Sequence, residues 1–230
     1  MHKLTHYRVC PASRAARLLL AELAIPHALA EELPWTWRAE FLAINPAGEL
    51  PVLELQGGAI LCGIYAISEY VAEEARALTG EVRTVPVLPG TREDRAEARR
   101  LVDWFQHKLG REVTQWILAE KLYGPQQSAA HAPNVETLRA ARANLRYHMG
   151  YISYLAYQRR WLAGEQLSFA DLMAGAQLSC LDYLGEVPWE GYQPAKEWYA
   201  RIKSRPSFRS LLSDRVPGMP PPVHYTDLDF

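Results

Sequence analysis

Two glycines, Gly57 and Gly58, sit between the apolar runs Pro51-Val52-Leu53-Glu54-Leu55 and Ala59-Ile60-Leu61. Glycine accepts the positive φ that tight hairpin turns require, so this spacing predicts two antiparallel strands. Upstream, Lys3 to Tyr7 reads as a strand. Ala16, Leu19, Leu20 and Leu23 then recur at i, i+3, i+4 and i+7, one face of a helix that begins near Ser13 and is stopped by Pro26. His27 to Leu29 reads as a second strand. Downstream of the hairpin, Ile64, Ile67 and Val71 share a face of a helix from about Ile64 to Ala75.

The order β-α-β followed by β-β-α is a thioredoxin-like layout, expected over residues 1–78. Residues 79–91, with Gly80, Pro86 and Pro89 and no helical period, read as a linker. An all-α domain is expected over 92–214. Leu101, Phe105, Leu109, Val113 and Ile117 step by four along one helix, and Leu138, Leu145 and Ile152 step by seven along another. Gly124 to Pro133 forms the turn between them. Ser168-Phe169-Ala170-Asp171 has the form of a capping box, and a last helix carries Trp198 and Ile202 before Arg205-Pro206. Residues 215–230 read as a Pro-rich extended tail that ends in Asp227-Leu228-Asp229-Phe230.

Hydrophobic residues make up 49% and charged residues 22% of the 230, enough for sizeable cores. A formal net charge of -1 gives no general pull toward nucleic acid or anionic lipid. The 3 cysteines, Cys10, Cys62 and Cys180, are too few and too scattered for a disulfide framework and suit a reducing cytoplasm. Cys62 and Cys180 read as core residues. The richest apolar stretch, Ala15 to Ile25, is interrupted by Arg17 and Glu22 and is too short to span a bilayer. The 7 histidines show no metal-ligand spacing, so neither a metal nor a cofactor is expected.

Four landmarks in order resemble the cytosolic glutathione transferase superfamily: Cys10-Pro11-Ala12-Ser13-Arg14, Asn45-Pro46-Ala47-Gly48-Glu49-Leu50-Pro51-Val52-Leu53, Ser168 to Asp171, and Trp198 to Ser207. The resemblance implies a thioredoxin-like α/β domain followed by an all-helical one. It implies a cis bond before Pro51 that presents the backbone of Val52 to glutathione. Family members place Glu or Gln and then Ser at the start of the third helix, to hold the γ-glutamyl end. The matching pair here is Gly63-Ile64. Losing two hydrogen bonds to charged groups, at ~1.5–3 kcal/mol each, weakens binding ~100-fold or more. The glutathione site of Cys10, Pro51, Val52, Gly63 and Ile64 is therefore expected to be degenerate, and the chain not to be a working transferase.

The alternative is an enzyme. Cys10 at a helix N-terminus resembles the omega-like thiol transferases, where a lowered pKa frees a thiolate nucleophile. Tyr7 and Ser13 are the other residue types the family uses there. Against this stand two features that suit a protein partner. Trp35, Trp37 and Arg38 are the residue types most enriched in binding hot spots, and Asp227, Leu228, Asp229 and Phe230 form an acidic, partly apolar terminus. With the missing Glu/Ser pair, they resemble a bacterial branch of the family that binds filaments of the division protein FtsZ. That resemblance implies a cytoplasmic, non-catalytic homodimer at the division site. It implies modulation of filament curvature and constriction, without nucleic acid and without direct membrane insertion.

Overall fold

The computed structural model describes residues 1–79 and 87–228. Residues 80–86 of the expected linker, and Asp229 and Phe230 of the expected partner-binding terminus, lie outside the described residues.

Strands β1 (His2–His6), β2 (His27–Glu31), β3 (Val52–Glu54) and β4 (Ile60–Cys62) form one mixed sheet in the order β2-β1-β3-β4. β1 and β2 are parallel, with Leu4 opposite Leu29, while β3 is antiparallel to both β1 and β4. Parallel neighbours need a crossover, and helix α1 (Pro11–Glu22) supplies it. The β3-β4 hairpin turns through Gly58 at φ 89°, as the paired glycines predict. Helix α2 (Ala39–Ile44) is short, and α3 (Ile64–Thr79) buries Ile64, Ile67 and Val71 as their spacing predicts.

The helical domain begins with one long rod: α4 (Arg92–Asp103), a π-helical segment Trp104–Thr114, α5 (Gln115–Leu118), a second π segment Ala119–Tyr123, and α6 (Gly124–Gln127). The π turns explain the apolar spacing. A step of four overshoots an α-helical turn by about 40°, so four such steps would spiral off one face. π turns hold more residues per turn and cancel the drift. Leu101, Phe105, Leu109, Val113 and Ile117 are all fully buried.

Helices α7 (Val135–Gln158), α8 (Phe169–Tyr183), α9 (Gln193–Lys203) and α10 (Arg209–Leu212) complete the domain. Every residue of α8 is buried: its apolar side chains fill the domain's centre, and Asp171, Ser179 and Asp182 are taken up by hydrogen bonds. α1 packs on α8 across the domain boundary. The two domains are also tied by charge. Arg14 and Arg17 of α1, both buried, reach Asp214 beyond α10 at 3.4 and 2.8 Å. Arg14 also donates to the Arg8 carbonyl at 2.7 Å and to Ser179 at 2.9 Å.

The tail departs from the extended form expected of it. Pro222 does hold an extended φ/ψ of -62°/156°, but a 3-10 turn follows at Val223–Tyr225. Tyr225 is fully buried and its hydroxyl donates to the Leu211 carbonyl at 3.0 Å. The Tyr183 hydroxyl accepts from the Val216 N–H and donates to the Met219 carbonyl, both at 2.8 Å. The aromatic ring and its hydroxyl gain more by docking than the prolines gain from solvent.

Candidate functional site

The head of α1, the Pro34–Trp37 loop, the turn Ala47–Leu50 and the π-helical wall enclose an open cleft of about 740 Å³. Of the three catalytic residue types at the head of α1, Cys10 lines this cleft. Tyr7 is buried in an aromatic cluster, and Ser13 is fully buried and accepts from the Tyr7 N–H at 3.3 Å. Burial also pushes the Tyr7 hydroxyl pKa upward. Cys10 is the N-cap of α1, with Pro11 in the first turn. The expectation of a lowered thiol pKa there does not hold: desolvation pushes it up and outweighs the hydrogen bonds from Ser13 and Ala12. In a Cys62→Ala/Cys180→Ala background, the thiolate absorbance of Cys10 is expected to appear only at pH above that of an ordinary free thiol. A titration below it would restore the nucleophile reading.

The structure redraws the expected glutathione site. The Leu50-Pro51 bond is cis, but the residue that lines the cleft is Leu50, not Val52. Val52 is fully buried and paired with Thr5 on one side and Cys62 on the other, so sheet pairing takes it up. Ile64 does not fill the place of the missing serine. Its side chain, 3% exposed, joins the core with Ile67 because it lies on the apolar face of α3. Gly63, at φ 84°, carries no side chain, and open space surrounds the place where one would project. Cys62 is exposed on the edge strand β4 and not core, because alternation turns it outward with Ile60, whereas Cys180 is fully buried.

The residues expected to bind a partner separate. Trp35 packs edge-on to Tyr7 at 5.3 Å and beside Tyr123 at 5.3 Å, inside the aromatic cluster. Trp37 stands 62% exposed at the cleft rim with φ 48°. A left-handed backbone is an outlier for so bulky a residue, and such strain collects at functional positions. Its ring lies on Gly48: a Cβ there would meet the indole at 2.6 Å. Arg38 forms a fork on buried Glu32, with Nε to Oε1 at 3.0 Å and Nη2 to Oε2 at 2.6 Å, and keeps half its surface exposed. Asp227 and Leu228 are exposed on the docked tail and do not line the cleft.

The polar atoms of the cleft wall follow no pattern legible in the residues alone. Gln106 Oε1, Thr114 Oγ1 and Gln177 Oε1 have no hydrogen-bond partner among the described residues. Gln177 stands between apolar neighbours in α8, the signal that could have marked it. No described helix is long and apolar enough to cross a membrane.

Comparisons with known proteins place both domains. The family model "Glutathione S-transferase, N-terminal domain" matches residues 9–74, and "Glutathione S-transferase, C-terminal domain" matches 116–206. The chain is 42% identical to FtsZ-localized protein A of Caulobacter vibrioides, over 99% of this chain and 97% of that protein. It is 30% identical to glutathione S-transferase 2 of Saccharomyces cerevisiae, over 77% of this chain and 73% of that one. Among solved structures, FzlA from C. crescentus superposes with a TM-score of 0.92 at 42% identity, covering 100% and 99% of the two chains. A glutathione S-transferase from Sinorhizobium meliloti superposes with 0.94 at 45%, covering 100% of both.

Proposed function

This chain belongs to the glutathione S-transferase family, and on that footing we propose that it is a non-catalytic member that binds FtsZ filaments and modulates their curvature during constriction. The observation that carries the reading is the 42% identity, over nearly the whole of both chains, to a protein named for its localisation with FtsZ. The missing side chain at Gly63 and the raised thiol of Cys10 support the non-catalytic half. The protein would work in the cytoplasm at the division site.

A homodimer is part of the proposal. Tyr147, Tyr154 and Tyr157 run along one face of α7 at 64%, 61% and 77% exposure. A row of aromatics in water is a feature of surfaces that meet another protein.

Trp37 and Asp227 are proposed as filament contacts, with Arg38, Leu228 and the terminal Asp229-Phe230 beside them. Trp35 acts behind the surface by supporting the loop. Co-sedimentation with GTP-assembled FtsZ tests this. Truncating a hot-spot tryptophan costs about 2 kcal/mol or more, so Trp37→Ala is expected to weaken pelleting about thirtyfold without changing thermal stability. Asp227→Lys should act in the same direction. Wild-type protein that stays in the supernatant while FtsZ pellets would sink the proposal.

The second reading, a thiol transferase, rests on Cys10 lining the cleft. Under it Cys10→Ser abolishes turnover of a glutathione mixed disulfide. Under the filament reading the same variant pellets like the wild type.

A further inference from the structure

A second concavity, sharing no residue with the cleft, lies between the second π segment, α7 and the loop after α8. It is open, about 430 Å³, and its charged lining is Lys121, Arg142, Arg146 and Glu186. The Glu186 side chain is 4% exposed and organises the cations. It accepts from Arg142 Nε at 2.7 Å, from Arg142 Nη2 at 2.8 Å and from Lys121 Nζ at 2.5 Å. Burial alone would raise the Glu186 carboxyl pKa; the hydrogen bonds from these two cations outweigh it and hold it low, so the carboxylate stays charged.

The single carboxylate leaves positive charge over. A guanidinium has five N–H donors, and Glu186 uses two of Arg142's. Arg146 and Arg139, exposed on the same face of α7, make no hydrogen bond or ion pair among the described residues. In a chain of formal net charge -1, this is a local excess of cations that their own fold does not neutralise.

We propose that this groove docks an acidic peptide segment of a partner protein, its carboxylates taken by Arg142, Arg146 and Lys121, with Arg139 at the rim. The spacing favours an extended strand. Arg142 and Arg146 are one turn apart, about 6 Å along the helix axis, and alternate side chains on an extended chain recur at about 6.6 Å. Carboxylates at every second position therefore fall in register, while the intervening side chains, on the strand's other face, turn toward Val187 and Pro188 of the loop wall. Apolar ground between the cations suits a peptide better than a run of phosphates. The site goes beyond filament binding through Trp37 and stands whatever the partner there.

The test is fluorescence anisotropy of the full chain with a labelled peptide Gly-Asp-Val-Asp-Val-Asp-Gly at low salt. Saturable binding is expected, at least tenfold weaker for the Asn-for-Asp peptide and weakened by added salt. Arg139→Glu/Arg146→Glu should lose at least tenfold in affinity. Both side chains are exposed, so the melting temperature should hold, and Trp37-dependent pelleting with FtsZ should be unchanged. Absence of saturable binding, equal binding by the charge-reversed variant, or equal binding of an oligouridylate of matched charge would each overturn the assignment.

Discussion

Asp171→Ala is expected to lower the free energy of unfolding by about 3–5 kcal/mol, read from the denaturant midpoint at unchanged slope. The carboxylate is fully buried and collects four donors: the Leu162 N–H at 2.8 Å, the Ser168 N–H at 2.9 Å, the Ser168 hydroxyl at 3.0 Å and Trp198 Nε1 at 2.9 Å. Alanine accepts none of them. Each buried donor left unmade costs about 1–3 kcal/mol; the bond from the Ser168 N–H is also half of the capping box of α8. Relaxation and rehydration return part of the sum, which is why the expectation sits at the bottom of it. Against a typical domain stability of about 5–15 kcal/mol, the loss is large enough to reduce soluble yield. Asp171→Asn keeps one acceptor oxygen and should fall between. A loss below about 1 kcal/mol for alanine would mean that these bonds do not hold α8, α9 and the preceding loop together.

Asp214→Ala should destabilise by a comparable amount for a different reason. It leaves two guanidiniums, Arg14 at 0% and Arg17 at 4% exposure, without their carboxylate. Breaking a buried pair by removing one partner costs about 3–5 kcal/mol, because the remaining charge is desolvated and uncompensated. Asp214 takes two bonds from Arg17, at 3.1 and 2.8 Å, and one from Arg14, at 3.4 Å, so Arg17 should bear most of the loss. Arg17→Leu in the same chain should then recover part of it. Buried charges are screened little by salt, so the deficit should persist at high ionic strength. A variant as stable as the wild type would show that α1 is held on the helical domain by apolar contact alone.

Where each side chain's role follows from periodicity, the sequence was enough. The hairpin at Gly57-Gly58, the α3 stripe of Ile64, Ile67 and Val71, the four-residue step through Ile117 and the box at Ser168 are local patterns with local causes. The misreadings lie where direction is set by tertiary contact. Val52 against Leu50 is a matter of which residue the sheet takes up and which the turn leaves facing the cleft. Ile64 matches a site position by motif, although its own helical phase points it into the core. Arg14 and Arg17 sit in a helix that looks half solvated until α8 covers it, and their partner lies about two hundred residues away along the chain. The tail's prolines announced extension, but Tyr225 decided its course. The four-residue step carried the π turns in plain view, since a strict α-helix could not have kept all five residues on one side.

The seat of Trp37 on Gly48 has a consequence for descent. The rim indole and the bare backbone beneath it form one unit, and a hydrogen is all that position 48 can carry while the ring stays down. A lineage can therefore lose this aromatic surface by a change eleven positions away, with the tryptophan itself untouched. When homologous chains are compared for this exposed indole, the glycine is as telling a letter as the tryptophan.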